Sequence, residues 1–270
     1  MKIELENWYK PIVDKKQLKE LSKRKNLPSL IHFSIYFGSL FITGYLAYLT
    51  WGTWLSFVFF FIYGTIYTFS VSNWHETVHK TAFKTRWINE FFYHVTSFMA
   101  DFEGFRWRWS HTFHHSNTLQ TKDNYDHEIQ ISRPTDLIAF FLNFIPFSDL
   151  LFPHRLIKFE VLKHSVGFFS PVIEISAPLK EKKKILWNSR FYVFIWLGII
   201  FFSIYFETIL PILYLLLPNY YGKPIWFLVN VTQHLGAALD KKDHRECTHS
   251  LNINPIFSFL YWHMEYHLEH

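Results

Sequence analysis

The chain has 270 residues, of which 50% are hydrophobic and 21% aromatic, with 16 histidines, one cysteine and a net charge of +5. One cysteine excludes, within this chain, a disulfide framework, a thiolate zinc finger and a cysteine-ligated iron–sulfur cluster. A soluble fold of this length would have difficulty burying so many large rings, and the basic residues flank apolar blocks, so the composition favours a membrane protein over a nucleic-acid-binding one.

Two apolar blocks follow a charged N-terminal segment that lacks the apolar core of a cleavable signal peptide. Residues 29–49 and 54–72 are each long enough to cross a bilayer, which takes about 20 residues in a helix. The short connection between them carries no charge and is flanked by Trp51 and Trp54, as is typical of a turn at the membrane interface. The pattern predicts a transmembrane hairpin at about residues 29–72.

The next apolar run is interrupted. Short apolar stretches alternate with Pro, His and Lys over residues 136–175, which predicts a segment lying along the membrane interface. A charged run at 179–184 then precedes a long apolar run over about residues 191–231, which contains Glu207 and several prolines. We interpret this run as a second hairpin that turns near Glu207 and has a kinked return helix.

The distribution of Lys and Arg sets the predicted orientation. These residues are concentrated in the N-terminal 28 residues and in residues 73–135 and 153–190, which lie between the two predicted hairpins, and they are absent from the two predicted turns. The positive-inside rule therefore places all basic segments on the cytoplasmic side, which requires an even number of crossings in each block. Only Lys223 fits awkwardly. The predicted fold is an all-α, multi-pass membrane protein with two transmembrane helical hairpins, about four transmembrane helices, one membrane domain over residues 1–270 and both termini cytoplasmic.

Histidines recur in pairs and triplets at the predicted cytoplasmic ends of these segments. Spacings of three and four residues place side chains on one face of a helix. Eight such histidines exceed what one four-coordinate zinc can use, whereas two six-coordinate iron ions would absorb that many imidazoles. An apolar substrate could enter from the bilayer, so the pattern points to oxygen activation beside an alkyl chain. The grouped residues are His75 and His79, His111, His114 and His115, Asn230 and His234, and His267 and His270.

Three carboxylates lie close to these histidines in the sequence. Metal-bound histidines usually donate their second ring N–H to a carboxylate or a carbonyl. Asp126 and Glu128, just past the second group, are candidates for that role, and a solvated loop is the alternative. Glu76 is a third candidate, with a helix position at the membrane surface as its alternative. Cys247 stands between charged residues, and we expect an exposed thiol.

Two other functions compete with the iron interpretation. His75-Glu76-x-x-His79 matches the HExxH pattern of zinc metalloproteases, in which two histidines bind zinc and the glutamate is the general base. That reading leaves the remaining six grouped histidines without a role. A membrane scaffold or metal store is the non-catalytic alternative, but polar clusters at the membrane edge are usually functional sites.

The chain resembles the integral-membrane fatty acid desaturases and hydroxylases from about Trp74 to its last residue. The resemblance implies a four-helix membrane stem under a helical cytosolic cap that holds a non-haem diiron centre. It implies a water held next to one metal by Asn230, and iron ligation by His75, His79, His111, His114, His115, His234, His267 and His270. The segments that carry it are HETVHKTAFKTRWIN, WRWSHTFHHSNT, DNYDHEI, NVTQHLG and NPIFSFLYWHMEYHLEH.

The reaction implied by this resemblance reduces O2 at two iron ions and leaves a cis double bond in a fatty acyl chain. Hydroxylase members return a hydroxyl group instead, so hydroxylation of an acyl chain or of another hydrophobic substrate such as a carotenoid is the alternative. Two external electrons per turnover imply a separate donor, a ferredoxin or a small haem protein with its reductase, docked on the basic cytosolic face. The three residues between His75 and His79 favour an acyl-lipid substrate.

The sequence departs from the family pattern at one place. The last histidine motif of the family usually reads HxxHH, whereas this sequence stops at His270. We therefore expect the sequence to be cut within a pair of metal ligands.

Overall fold

The structure is a computed structural model that describes residues 8–122, 126, 128, 137–153 and 156–268. Helices dominate these residues, and no β-strand occurs among them apart from an isolated antiparallel bridge between Ser250 and Tyr266. The helices are α1 (Lys15–Leu21), α2 (Leu27–Leu49), α3 (Trp54–Thr68), α4 (Ser70–Val78), α5 (Arg86–Met99), α6 (Gly104–Ser116), α7 (Leu137–Leu142), α8 (Ile157–Ser165), α9 (Pro171–Ser176), α10 (Leu179–Tyr205), α11 (Leu210–Leu215), α12 (Pro218–Tyr221), α13 (Lys223–Val231), α14 (His244–Cys247) and α15 (Pro255–Leu260), with a 3₁₀ turn at Ser148–Leu151.

The first two apolar blocks form an antiparallel helix pair. The Tyr36 hydroxyl of α2 donates to the Tyr67 carbonyl of α3 at 3.2 Å. The turn between the helices contains Gly52 at φ 83°, a conformation that glycine adopts without strain. Large apolar side chains on the outer faces are exposed, for example Phe57 at 78%. An exposed apolar face of this kind is expected of a helix that contacts lipid.

Three helical stretches in the described part of the chain are long and apolar enough to cross a membrane. They are Leu27–Leu49, Trp54–Val78, in which α4 continues α3 after Phe69, and Leu179–Tyr205. The last begins earlier than the sequence suggested, because the charged run at 179–184 forms its first turns instead of preceding it.

The return from α10 is not a single helix. The chain reverses after Tyr205, where Glu207 adopts φ 50°, and three short helices follow. A proline stands in the first or second position of each of them, where its fixed φ is tolerated but an incoming helix cannot continue through it. The predicted count of about four transmembrane helices therefore stays a prediction.

The return helices cross α3 at two glycines. A Cβ atom on Gly222 would lie 1.9 Å from the carbonyl carbon of Gly64, so the two backbones are in direct contact. The hydroxyl of Thr68 donates to the Gly222 carbonyl at 3.1 Å across the same crossing. Small residues allow such close approach between membrane helices. The crossing fixes where α13 begins and hence where its far end lies.

Short helices pack beside this frame. The region predicted to lie along the interface contains α7, the 3₁₀ turn, α8 and α9, and Val161 of α8 packs on Tyr192 and Trp196 of α10. Lys223, which fitted the charge rule awkwardly, is buried and forms an ion pair with Asp149. Its charge is thus compensated inside the protein.

Candidate metal centre

The first group of histidines joins α4 to α6. His75 lies in α4, His79 caps the end of that helix, and His111 and His115 lie one turn apart on α6. Each of these four side chains offers a ligand atom, and the four atoms lie within 4.8 Å of one another. The Nε2 atom of His111 is 3.0 Å from that of His79 and 3.1 Å from that of His115. Helical spacing explains each pair, and the packing of α4 beside α6 brings the pairs together.

The second group joins α6 to the C-terminal part of the chain. It contains His114, His234 just after α13, and His267 after α15, again with ligand atoms within 4.8 Å of one another. The Nε2 atoms of His234 and His267 are 3.1 Å apart. His270, the eighth predicted ligand, lies outside the described residues.

The two groups are neighbours. The ring centroids of His111 and His114 are 5.7 Å apart on α6, and those of His75 and His267 are 6.3 Å apart. One helix, α6, therefore contributes His111 and His115 to the first group and His114 to the second. Asn230 lies on α13 one turn before His234, and its Oδ1 is 3.5 Å from the hydroxyl of Tyr261.

Three of the ring nitrogens that face away from the groups lie beside oxygen acceptors, whereas Nδ1 of His267 is 3.2 Å from the side-chain amide nitrogen of Gln233. Nδ1 of His111 is 2.9 Å from Glu128, Nδ1 of His114 is 2.8 Å from Asp126, and Nδ1 of His234 is 2.8 Å from the carbonyl of Cys247. Carboxylate and carbonyl oxygens accept hydrogen bonds, so in the neutral rings of His111, His114 and His234 the proton sits on Nδ1 and a lone pair is left on Nε2. This is the tautomer that binds a metal through Nε2.

The spacing of the Nε2 atoms fits a shared cation. A single lone pair on His111 accommodates one donor, yet two imidazole nitrogens approach it within 3.1 Å. Imidazole nitrogens bind metal ions at about 2.1 Å, so two ligands at right angles around one ion lie about 3.0 Å apart. The described donors of both groups are all imidazoles, a set that suits iron, zinc and copper rather than magnesium or calcium.

The electrostatics of the two carboxylates differ. Burial raises the pKa of Glu128 above its ordinary value, although the Ser110 hydroxyl and the Arg106 charge favour the carboxylate. Burial also opposes the charge of Asp126, but hydrogen bonds from His114 and from the backbone N–H groups of Leu119 and Glu128 outweigh it and lower its pKa. Asp126 is thus a negative charge at neutral pH beside the second group.

Glu128 belongs to a network of hydrogen bonds and charges that the sequence did not predict. The hydroxyl of Ser110 donates to Glu128 and accepts from Arg106 at 2.8 Å. Arg106 in turn donates to Glu160 of α8 at 3.1 Å. The spacing of Arg106, Ser110 and His114 along one helix face was a usable signal, whereas the partner Glu160 is distant in sequence and had none.

Glu103 begins the helix that carries three of the histidines. Its side chain caps α6 by accepting from the backbone N–H groups of Phe105 and Arg106, and it also accepts a hydrogen bond from Asn188. Burial raises the pKa of Glu103 to about 7 despite these hydrogen bonds. The cap thereby links α6 to α10.

Glu76 lies in α4, and its carboxylate accepts from the Thr81 hydroxyl at 2.7 Å. Its proposed role beside a histidine stays a prediction. The expectation of an exposed Cys247 is wrong, because the residue is fully buried against Trp8 and Leu119. The neighbouring charges point outward while the thiol points inward, a division that a sequence does not reveal.

Comparison with known proteins adds one match. Residues 15–270 match the sequence model of the family described as "Fatty acid desaturase". No curated protein and no solved structure matches the chain. The family match and the four-histidine group around His75 and His79 leave the zinc-protease alternative without support.

Proposed function

The chain belongs to the fatty acid desaturase family, and from that premise we propose that it is a membrane-bound, O2-dependent oxidoreductase that introduces a cis double bond into a fatty acyl chain. The observation that carries the proposal is the pair of adjacent histidine groups at the ends of apolar helices. A protein with a single metal site would need only one histidine group. A protein that only stores metal would not need apolar helices that lead to the site.

Two iron ions are the proposed cofactors. The first would be held by His75, His79, His111 and His115, and the second by His114, His234 and His267, with His270 and a water on Asn230 as further proposed ligands. When bound, the iron ions would supply the reduction of O2 and the removal of hydrogen from the substrate. Other residues of the chain would orient the histidine rings. Glu128 and Asp126 would hold the protons of His111 and His114 on Nδ1.

An apolar cleft supports an acyl chain as the substrate. A cavity of about 580 Å³, within the ordinary range for ligand pockets, lies between α2, α3, α13 and α15. Three of the lining helices continue to histidines of the two groups: α3 leads to His75, α13 to His234 and α15 to His267. An acyl chain in this cleft would extend toward the histidines from the apolar side. We therefore propose an acyl-lipid substrate that enters from the bilayer.

The electrons are proposed to come from a separate protein. Lys183 and Lys184 line an open cleft beside Phe105 and Trp187, at the basic start of α10. An acidic ferredoxin or small haem protein fits this charge, since complementary charge guides encounter. The positive-inside rule would put this face and the histidines on the cytoplasmic side.

The test is expression of the protein in a host of known lipid composition, followed by fatty acid analysis. A new cis alkene that requires O2 is the expected product. His114→Ala is expected to abolish the product with membrane insertion unchanged, and His249→Ala, a histidine outside both groups, serves as the control. Detection of a new alcohol would mean that the protein is a hydroxylase and not a desaturase. An unchanged fatty acid composition in the presence of an active electron donor would refute the proposal.

A further inference from the structure

The described chain starts with two aromatic residues, Trp8 and Tyr9, that lie across a distant loop; we call them the N-terminal strap. The Trp8 ring stacks on His244 with 4.3 Å between centroids and 12° between planes. The Tyr9 backbone N–H donates to the carbonyl of Lys242 at 2.8 Å, and the Arg245 guanidinium lies 3.6 Å from the centre of the Tyr9 ring. Trp8 is only 9% exposed, so the strap is packed rather than loosely attached.

Beneath Trp8 lie two residues whose backbones support the second histidine group. Trp8, Leu119 and Cys247 form one buried cluster. The backbone N–H of Leu119 donates to Asp126 at 3.0 Å, and the same carboxylate oxygen accepts from Nδ1 of His114. The carbonyl of Cys247 holds Nδ1 of His234 at 2.8 Å. One indole ring thus contacts the supports of two proposed ligands.

The two supporting segments are also tied to each other. The side-chain amide of Gln120 donates to the carbonyl of Lys241 at 2.7 Å, and Thr121 donates from its backbone N–H to Asp240 at 2.8 Å. Residues 118–121 and 240–247 therefore form one unit, which the strap covers. The support of the first group has further partners of its own. The Glu128 backbone N–H donates to Asp126 at 3.0 Å, but the Glu128 carboxylate is held by Ser110, which Arg106 contacts in turn.

We propose that the N-terminal strap positions the metal-binding side chains of the second histidine group, which contains His114, His234 and His267. The Trp8 ring keeps Leu119 and Cys247 together, and the rings of His114 and His234 then present their Nε2 atoms to one ion. Groups that orient metal ligands typically change metal affinity by roughly 10- to 100-fold when removed. Loss of the ring should therefore weaken the ion held by His114, His234 and His267 and leave the other ion in place. The inference rests on the proposed two-iron function.

The test measures bound iron directly. The purified protein in detergent micelles is dialysed anaerobically against increasing Fe²⁺, and iron per chain is determined by elemental analysis. The wild-type protein is expected to bind two ions. Trp8→Ala is expected to keep one at its wild-type affinity and to bind the second roughly 10- to 100-fold more weakly. Trp8→Phe, which keeps an aromatic ring, is expected to recover part of that loss. Trp87→Ala is the control, since Trp87 is 72% exposed on α5.

Three outcomes would overturn the proposal. Trp8→Ala could bind both ions as the wild type does, or it could weaken both equally, which would make the strap a general stabiliser. A wild-type protein that binds fewer than two ions would remove the premise, and that result identifies the failure as one of the proposed function. Where Trp8→Ala does not fold, Trp8→Leu, which keeps an apolar side chain but cannot stack on His244, is judged by the same iron measurement.

Discussion

Substituting alanine for Gly222 should separate α13 from α3 and disturb the second histidine group. The added Cβ would lie 1.9 Å from the carbonyl carbon of Gly64, 2.1 Å from its carbonyl oxygen and 2.5 Å from the nitrogen of Thr65. All three are backbone atoms that no rotamer change can move. Bringing 1.9 Å to the 3.4 Å of ordinary contact requires the two backbones to move apart by about 1.5 Å.

The effect of Gly222→Ala on the free energy of unfolding has two contributions. Overpacking in a well-packed core typically costs about 1–3 kcal/mol. The hydrogen bond from Thr68 to the Gly222 carbonyl, 3.1 Å long, would be stretched as well, at about 1 kcal/mol. We therefore expect Gly222→Ala to lower the free energy of unfolding by roughly 2–4 kcal/mol. Because α13 leads to His234, bound iron should fall together with stability.

The assay is thermal unfolding of the protein in detergent, combined with iron analysis. Gly38→Ala is the matched control: Gly38 lies inside α2, and no atom beyond the surrounding helix backbone is within 4 Å of a Cβ placed there. That control should be neutral or slightly stabilising, because alanine favours a helix interior over glycine by up to about 1 kcal/mol. Equal melting temperatures for Gly222→Ala and Gly38→Ala would show that the two backbones do not cross at Gly64.

Two further predictions concern buried charges. Glu103 is protonated more readily when folded, with a pKa of about 7 against 4.5 in the ordinary state, so its contribution to stability is full below pH 4.5 and lost as the pH rises to about 7. The loss is at most about 3 kcal/mol, and Glu103→Gln should flatten denaturant-measured stability over that window; an unchanged slope contradicts the assignment. Arg106→Met should cost up to about 3 kcal/mol, the low end for breaking a buried pair, by leaving the half-buried Glu160 without its guanidinium partner. The double variant Arg106→Met with Glu160→Gln should regain most of that stability in the same unfolding assay, and no regain would mean that the pair is not coupled.

Helical spacing predicted two of the histidine pairs, but it also put His114 with His111 and His115, whereas the structure places it with His234 and His267. His75 with His79 and His111 with His115 are each four residues apart, and both pairs lie in one group. The division of α6 between two groups could not be predicted, because His114 and His115 are adjacent in sequence and only the packing of the last helices decides that His114 turns toward His234. Periodicity describes one helix, whereas the division depends on contacts between helices.

The hydrogen-bond acceptors of the histidine rings could be predicted from the sequence only in part. Asp126 and Glu128 could be proposed because a carboxylate is visible in a sequence as a hydrogen-bond acceptor. The carbonyl of Cys247 serves His234 equally well, but every residue has a carbonyl and none is marked by its side chain. The prediction of one kinked helix for the segment that follows α10 was wrong for a similar reason. Its hydropathy suggested one kinked helix, and its prolines instead divide it into α11, α12 and α13.

The proposed function requires two adjacent histidine groups that each bind an iron ion. The decisive experiment is elemental analysis of the purified wild-type protein and of the His79→Ala and His234→Ala variants, each loaded anaerobically with Fe²⁺. We expect two irons per wild-type chain and one in each variant, because each substitution removes a ligand from a different group. A single zinc per chain and no bound iron, or the loss of both irons in each variant, would contradict it.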